Sequence, residues 1–423
     1  MKSKKTLIDL IRKGTFEEIE EALKTASHDE VNEFGHTPLI VTIHTSNRKD
    51  FEKIFDLILK WDTCLDKKDN DGYSAFSHAI SLRKMRCAEK LLEKNVDVNV
   101  PCVATVAPHP RAYKAYEQSS SVPYPRSTMQ KMSALALLIY KSYDEMVEKI
   151  LEKDNVDLDV VGGLDITALS MSARSNNLEI TEYLLARNAN PNVVPRNWRQ
   201  YASKEEDVCP IALKKALKYG YGAIISMLIA AGSRVPKIFP RKDNMYSTPL
   251  TYLFSQPQQQ LAEPFHCLRV LKEFVPITLC DSQNRSPLSY AVENNISHLV
   301  LEGLLDEEIN NLSDIHGYTP MMYAWQNRDY QTMDFLYKRG GISIANNVFE
   351  PTGETLLMIS LQEKDEDMIR FLLSYNPMLL HKNKKGQSVL DFKTGNTELD
   401  TKIELEYKRQ TQNMLREKNI QKD

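Results

Sequence analysis

The stretch DIHGYTPMMYAWQNRDYQTMDFLYKRGG, residues 314–341, contains the signals of one complete helix–turn–helix repeat. Gly317 lies in a turn, Thr319 can cap a helix N-terminus, and Pro320 follows at the first helical position. A threonine hydroxyl can accept an unpaired backbone amide there, and proline lacks the donor that would stay unpaired. A polar turn and a second helix with apolar residues around Phe335 complete the pattern. This stretch therefore predicts two short antiparallel helices.

The same start signal recurs along the chain, and the positions of its capping residue define a repeat. These positions are Thr37, Ser74, Ser133, Thr167, Cys209, Thr248, Ser286, Thr319, Thr355 and Ser388. Successive gaps are 37, 59, 34, 42, 39, 38, 33, 36 and 33 residues. Because insertions lengthen a repeat and nothing shortens it below 33, the underlying period is 33 residues, and a period of this size indicates a stacked-repeat architecture.

This pattern resembles the ankyrin repeat, in its T-P-L-like starts at 33-residue spacing and in second-helix endings such as LLARNANPN at residues 184–192. The histidine of the family's T-P-L-H motif is absent from every copy. The resemblance implies an all-α ankyrin-repeat solenoid of about ten helix-turn-helix units with inserted finger loops. It also implies a protein that binds other proteins through a concave face.

The repeat count suggests three regions. Residues 1–31 are expected to form an N-terminal helical cap, residues 32–394 the repeat array, and residues 395–423 a C-terminal capping helix with a frayed tail. Apolar Ile403, Tyr407 and Met414 mark the face of that last helix expected to pack on the array. Such caps are needed because each repeat buries little surface without its neighbours.

Three insertions fall between the second helix of one repeat and the first helix of the next, where the resemblance places projecting fingers. The long one spans residues 101–131, and shorter ones span 194–208 and 235–247. All three are rich in cationic, aromatic and proline residues. Tyr, Trp and Arg dominate binding hot spots, and prolines lower the entropy lost on binding. The predicted partner-contacting residues are Arg111, Tyr113, Tyr116, Tyr124, Arg126, Trp198, Arg199, Tyr201, Phe239 and Arg241.

We expect these fingers and the concave face to bind another protein with an acidic or phosphorylated surface, because the fingers carry more cations than acids. Two other extensions, TSNRKDF at residues 45–51 and SQPQQQLAEPFH at 255–266, fall within repeats and are expected to be surface decoration.

No catalytic pattern stands out in the sequence. The nine histidines show no H-E-x-x-H or H-x-x-x-H spacing, and phosphate loops and the G-x-S-x-G elbow are missing. We therefore expect no catalytic residues, no metal and no cofactor. Cys87, Cys209 and Cys267 are expected to be buried structural thiols. The alternative is an enzyme or bacterial effector whose active site is built from the inserted loops.

Composition constrains location and partners. Six scattered cysteines without a C-x-x-C pair indicate reduced thiols, and no apolar run is long enough to span a bilayer. The net charge of −3 disfavours a nucleic-acid partner. We expect a cytoplasmic monomer without membrane insertion, or one in host cytoplasm if intracellular bacteria deliver it, as they do similar divergent arrays.

Overall fold

The computed structural model describes residues 6–105, 129–163, 165–200, 202–240, 245–307, 309–340 and 347–420. The chain divides into two compact units. Unit 1 comprises residues 1–197, 210–215 and 227–233, and unit 2 comprises residues 198–209, 216–226 and 234–423.

Pairs of short helices make up both units. In chain order the pairs are α1 (Leu7–Lys13) and α2 (Phe16–Leu23), α3 (Pro38–His44) and α4 (Phe51–Trp61), α5 (Ala75–Ser81) and α6 (Met85–Glu93), α7 (Ala134–Tyr140) and α8 (Asp144–Leu151), α9 (Ala168–Ser175) and α10 (Leu178–Ala186), α11 (Ile211–Tyr219) and α12 (Gly222–Ala230), α13 (Pro249–Phe254) and α14 (Pro264–Leu271), α15 (Pro287–Glu293) and α16 (His298–Glu302), α17 (Pro320–Gln326) and α18 (Tyr330–Gly340), and α19 (Leu356–Glu363) and α20 (Glu366–Leu373). A single long helix, α21 (Thr397–Ile420), follows. The predicted all-α repeat fold is confirmed.

The predicted start signals cap the first helix of most repeats. The hydroxyl accepts the backbone amide three residues on at Thr37, Ser74, Ser133, Thr167, Thr248, Ser286, Thr319 and Thr355. In the fifth repeat the first helix starts later than Cys209 suggests, because the carbonyl of Pro210 accepts the first helical amide, from Lys214.

First helices are packed on several sides, which explains their nearly continuous apolar sequences. In unit 1, α3 packs against α1 and α5, and α7 packs against α5 and α9. In unit 2, α15 packs against α13 and α17. All residues of α7 except Tyr140 are buried. Each repeat thus depends on its neighbours for most of its core.

Short antiparallel strand pairs are the only β-structure among the described residues. Strands β1 (Pro101–Thr105) and β2 (Met129–Ser133) pair with Cys102 opposite Met132 at the base of the long insertion. Strands β3 (Phe239–Pro240) and β4 (Tyr246–Ser247) pair at the base of the third insertion. Strands β5 (Val348–Phe349) and β6 (Glu354–Thr355) form the remaining pair.

The extension at residues 45–51 was expected to be surface decoration, yet it carries a structural contact. The Arg48 guanidinium donates to the carbonyl oxygens of Ile11 at 2.8 Å and Gly14 at 2.9 Å, at the C-terminal end of α1. Asp50 holds the guanidinium in place at 2.9 and 2.8 Å. A cation at a helix C-terminus pairs with carbonyls that lack a partner and interacts favourably with the helix dipole. This loop therefore connects the N-terminal helix pair to the first repeat.

The C-terminal end departs from the predicted repeat. Ser388 caps only one 3₁₀ turn, Val389–Asp391, in which the Asp391 carboxylate accepts the Ser388 amide at 2.6 Å. Ile403 of α21 is buried, whereas Met414 is 39% exposed, so the apolar stripe stops short of Met414. Among the described residues, no helix combines the length and apolar character needed to cross a membrane.

Capping of a buried first helix gives a stability prediction. Thr167 and Ser170 form a reciprocal capping box, in which each hydroxyl accepts the other residue's amide, at 3.0 and 2.9 Å. Thr167→Ala should lower the free energy of unfolding by about 1 kcal/mol, because it leaves a buried amide unpaired. Urea unfolding followed by circular dichroism measures the change.

The matched variants separate the hydrogen bond from the loss of bulk. Thr167→Ser keeps the hydroxyl and should retain most of the stability, and Thr401→Ala on the exposed surface of α21 should change little. Equal destabilisation by the alanine and serine variants at position 167 would show that the capping bond does not matter.

Candidate functional site

The long finger was the first place predicted to contact a partner. Its base is the β1–β2 hairpin, in which Cys102 and Met132 are buried. The predicted contact residues Arg111, Tyr113, Tyr116, Tyr124 and Arg126 lie outside the described residues, as do Tyr201 and Arg241 of the shorter fingers.

The second finger keeps two of its predicted contact residues near the surface. Trp198 is half-buried and Arg199 exposed, and the Arg199 guanidinium lies over the indole ring, 4.7 Å from its centroid. The segment Trp198–Gln200 forms a 3₁₀ turn, and the carbonyl of Trp198 accepts the amide of Ala202 at 3.0 Å. An indole stacked on a guanidinium offers a large contact area with a charged tip.

Phe239 in the third finger has a different environment from the one predicted. Its side chain is only 1% exposed, and its ring meets that of Tyr252 edge to face at 5.5 Å. The Phe239 ring is therefore part of the hydrophobic core, although the sequence predicted that it contacts a partner. We leave Phe239 out of the contact surface. Tyr246, on the paired strand, is the exposed aromatic residue at this base.

A second cationic surface lies where the first helices of unit 1 end. The Tyr140 ring at the end of α7 has the Lys141 ammonium 4.8 Å and the Arg174 guanidinium 5.8 Å from its centroid. Partial burial lowers the pKa of Lys141, and the positive charge of Arg83 lowers it further. We call Arg83, Tyr140, Lys141 and Arg174 the Tyr140 cluster.

The Tyr140 cluster has excess positive charge. Over the ranges that the structure describes, no acidic side chain forms an ion pair with Arg83, Lys141 or Arg174. The motif search missed this surface because its residues come from three repeats. Alignment on the capping residues reveals it, since Tyr140 and Arg174 both lie seven residues after their caps, Ser133 and Thr167.

Three histidines that share no short-range motif lie close together. His36, His44 and His78 each place one ring nitrogen within 4.8 Å of the others. They come from two successive repeats, so the short-range spacings of known metal motifs could not reveal them.

The buried cysteines do not have the properties of a catalytic nucleophile. Cys87, Cys102, Cys209 and Cys267 are buried, as expected for the three of them that were singled out. Burial raises the pKa of Cys87 to about 11 and that of Cys267 to about 12. A pKa near 11 leaves only about one thiol in ten thousand ionised at pH 7, and the thiolate is the reactive form.

Two models of known protein families match parts of the repeats described above. A model described as ankyrin repeats (3 copies) matches residues 260–347, and one described as ankyrin repeat matches residues 165–195. The chain is an ankyrin-repeat protein. No curated protein is significantly similar to it. Ankyrin repeats are generally protein–protein interaction modules, and their families are typically non-catalytic.

Thiol reactivity tests the assignment of the cysteines. Cys64 is exposed, whereas Cys280 is half-buried, with burial raising its pKa to about 11. The native protein should therefore show one fast-reacting thiol with Ellman's reagent at neutral pH, and the other five should react after denaturation. Cys64→Ser should remove the fast phase. A second fast thiol in that variant would reveal an activated cysteine and would favour the enzyme alternative.

Proposed function

We propose that this ankyrin-repeat protein is a non-catalytic interaction scaffold that binds an acidic or phosphorylated segment of a partner protein. The observation that carries the proposal is the Tyr140 cluster, in which Lys141 and Arg174 lie beside one aromatic ring, Arg83 acts on Lys141, and none of the three cations has an acidic partner among the described residues. The finger residues Trp198 and Arg199 supply a second cation–aromatic pair of the same chemistry.

The physical advantage of such a surface lies in its unpaired charge. A carboxylate or phosphate can form charge-assisted hydrogen bonds with Lys141 and Arg174 without first breaking an internal ion pair. It also relieves the repulsion between Arg83 and Lys141 that lowers the Lys141 pKa. Positive potential of this kind raises the association rate and selects partners by charge.

The predicted fingers belong to the same proposal. Arg111, Tyr113, Tyr116, Tyr124, Arg126, Tyr201 and Arg241 remain predicted contact residues on the basis of sequence, together with the concave face. We further propose that the protein acts as a cytoplasmic monomer, which suits six free cysteines. The delivery of similar arrays by intracellular bacteria suggests host cytoplasm as one setting.

Binding of defined charged peptides tests the proposal. Fluorescence anisotropy should show that a labelled polyglutamate peptide and a phosphoserine-containing peptide bind the full chain, whereas a polylysine peptide does not. The affinity should fall as salt rises, because exposed charges are screened. Lys141→Ala combined with Arg174→Ala should weaken binding about two- to tenfold, since an exposed charge pair contributes about 0.2–1 kcal/mol.

The chain supplies a matched control for that experiment. The Arg187 guanidinium lies 5.6 Å from the Tyr183 ring centroid on α10, so it reproduces the cation–aromatic pair outside the Tyr140 cluster. Arg187→Ala should leave peptide affinity unchanged. Equal losses in both variants would mean that the peptide responds to overall charge, and undiminished binding by the Lys141/Arg174 variant would remove the Tyr140 cluster from the proposal.

Two further variants separate the fingers from the Tyr140 cluster. One replaces residues 106–128 with a short Asn-Gly turn, which keeps the β1–β2 hairpin. The other combines Trp198→Ala with Arg199→Ala. If the fingers contact the partner, each variant should weaken capture of a partner identified with the wild-type chain, with unchanged circular dichroism. Full capture by both would exclude the fingers.

A further inference from the structure

Three imidazole rings and one buried carboxylate meet between the first and second repeats of unit 1. His44 Nε2 lies 3.1 Å from His78 Nδ1, and His78 Nε2 lies 2.8 Å from an Asp69 carboxylate oxygen. The same oxygen is 3.6 Å from His36 Nε2. The three rings are in mutual contact, with centroids 4.9–5.3 Å apart. We call His36, His44, His78 and Asp69 the histidine cluster.

Hydrogen bonds and helices fix the backbone that carries these side chains. The Asn32 side chain accepts the amides of Phe34 and His36 at 3.0 and 2.9 Å, which fixes the turn that presents His36. His44 is the last residue of α3, and His78 lies inside α5. The fold therefore holds each ring on an ordered segment, as a preformed ligand set requires.

Asp69 orients His78 as carboxylates orient metal-binding histidines. One Asp69 oxygen accepts the amides of Asp71 and Tyr73 at 2.9 and 2.8 Å, and the other faces His78 Nε2. Because a carboxylate can only accept, His78 Nε2 carries the hydrogen and Nδ1 presents its lone pair to His44. Metal-bound histidines usually donate their second nitrogen to a carboxylate in this way.

The equivalent positions in unit 2 are filled by a cation of the chain itself. Counted from the capping residues Ser286 and Thr319, Arg285 matches His36, Glu293 matches His44, Tyr323 matches His78 and Asp314 matches Asp69. The Tyr323 hydroxyl donates to Asp314 at 2.5 Å, as His78 donates to Asp69.

In that equivalent group, Arg285 provides the positive charge. Its guanidinium lies 4.1 Å from the Tyr323 ring centroid and forms an ion pair with Glu293. In the histidine cluster, His36 stands in place of this arginine. The other equivalent positions hold two more imidazole rings, which have nitrogen lone pairs, and the Asp69 carboxylate. The repeat framework thus creates a place for a cation, and in the first two repeats the surrounding groups are imidazoles and a carboxylate, the kinds of side chain that bind metal ions.

We propose that the histidine cluster binds one Zn²⁺ ion through a ring nitrogen each of His36, His44 and His78, with Asp69 orienting His78. Imidazole nitrogen is a preferred zinc ligand at about 2.0–2.1 Å, which places tetrahedral ligands about 3.3 Å apart. The His44–His78 separation of 3.1 Å is already close to that value. Small side-chain rotations bring in His36, and a water molecule or partner group takes the fourth position.

Bound zinc would connect the first two repeats, because its ligands come from both. A ligand that binds only the folded chain raises the apparent stability. This site is independent of the Tyr140 cluster, so its failure would leave the proposed function intact.

Zinc and cobalt titrations of the tag-free full chain test the site. After removal of metal with a chelator, wild type should bind one Zn²⁺ per chain in isothermal titration calorimetry. Co²⁺ should give the visible absorption of a four-coordinate nitrogen site, and zinc should raise the melting temperature. His44→Ala and His78→Ala should each weaken zinc binding at least tenfold, and Asp69→Asn about 10–100-fold.

Two controls make the result specific. His316→Ala removes an exposed histidine outside the cluster and should bind zinc like wild type. His36→Arg combined with His44→Glu copies the Arg285–Glu293 pair, so it should abolish zinc binding while circular dichroism and the metal-free melting temperature stay close to wild type.

Either of two results would overturn the site. The first is a wild-type chain that shows no saturable 1:1 binding. The second is a His44→Ala chain that still binds zinc with wild-type affinity and cobalt spectrum. Because the His44 side chain is exposed, its removal should not unfold the protein, so the second result is open to measurement.

Discussion

The hydroxyl cap on most of the buried first helices is the interaction on which the rest of the structure depends. Such a helix packs against neighbouring helices, so its first backbone amides cannot turn to water for a partner. Thr248 illustrates the solution, since its side chain is fully buried and accepts the Thr251 amide at 3.0 Å. A missing cap would leave an unpaired donor in the core, which explains why a hydroxyl recurs at this position along a divergent chain.

Because the backbone is the same in each repeat, equivalent residues of different repeats place their side chains in equivalent positions. In three repeats an aspartate five residues before the cap closes the turn, and the side chain four residues after the cap donates to its carboxylate. The pairs Asp281–Tyr290 and Asp314–Tyr323 show this contact at 2.8 and 2.5 Å. Asp69 and His78 form the same pair at 2.8 Å. Identical geometry can thus hold different chemistry, which makes a departure from the usual residue informative.

The sequence predicted the helix pairs well because their determinants are local. A cap, an apolar run and a turn lie within one repeat, as residues 314–341 show. The end of the array was less predictable. Ser388 carries the start signal and forms a capping box with Asp391, as Thr167 does with Ser170, yet only a 3₁₀ turn follows it.

Side-chain environments were harder to predict, because they depend on contacts across repeats. Phe239 lies in an insertion rich in cationic and aromatic residues, which predicted contact with a partner. In the structure its strand pairs with β4, where Phe239 lies opposite Ser247, and its side chain is buried in the core. His44 and His78 are 34 residues apart, so a search for ligands one helical turn apart cannot join them. They lie seven and four residues after their caps, Thr37 and Ser74, and the packing of α3 against α5 brings them together.

Because the repeats stack in register, the residues that stabilise the array differ from those exposed for binding. The long insertion is closed at its base by the β1–β2 hairpin, and α5 still packs against α7 as neighbouring repeats do elsewhere in unit 1. Stability therefore depends on caps and apolar faces, while the ends of first helices remain open to substitution. The position seven residues after the cap holds His44, Ser81, Tyr140 and Arg174 in the first four repeats. Variation at that position lets one framework carry a cationic surface and a cluster of imidazoles without altering its core.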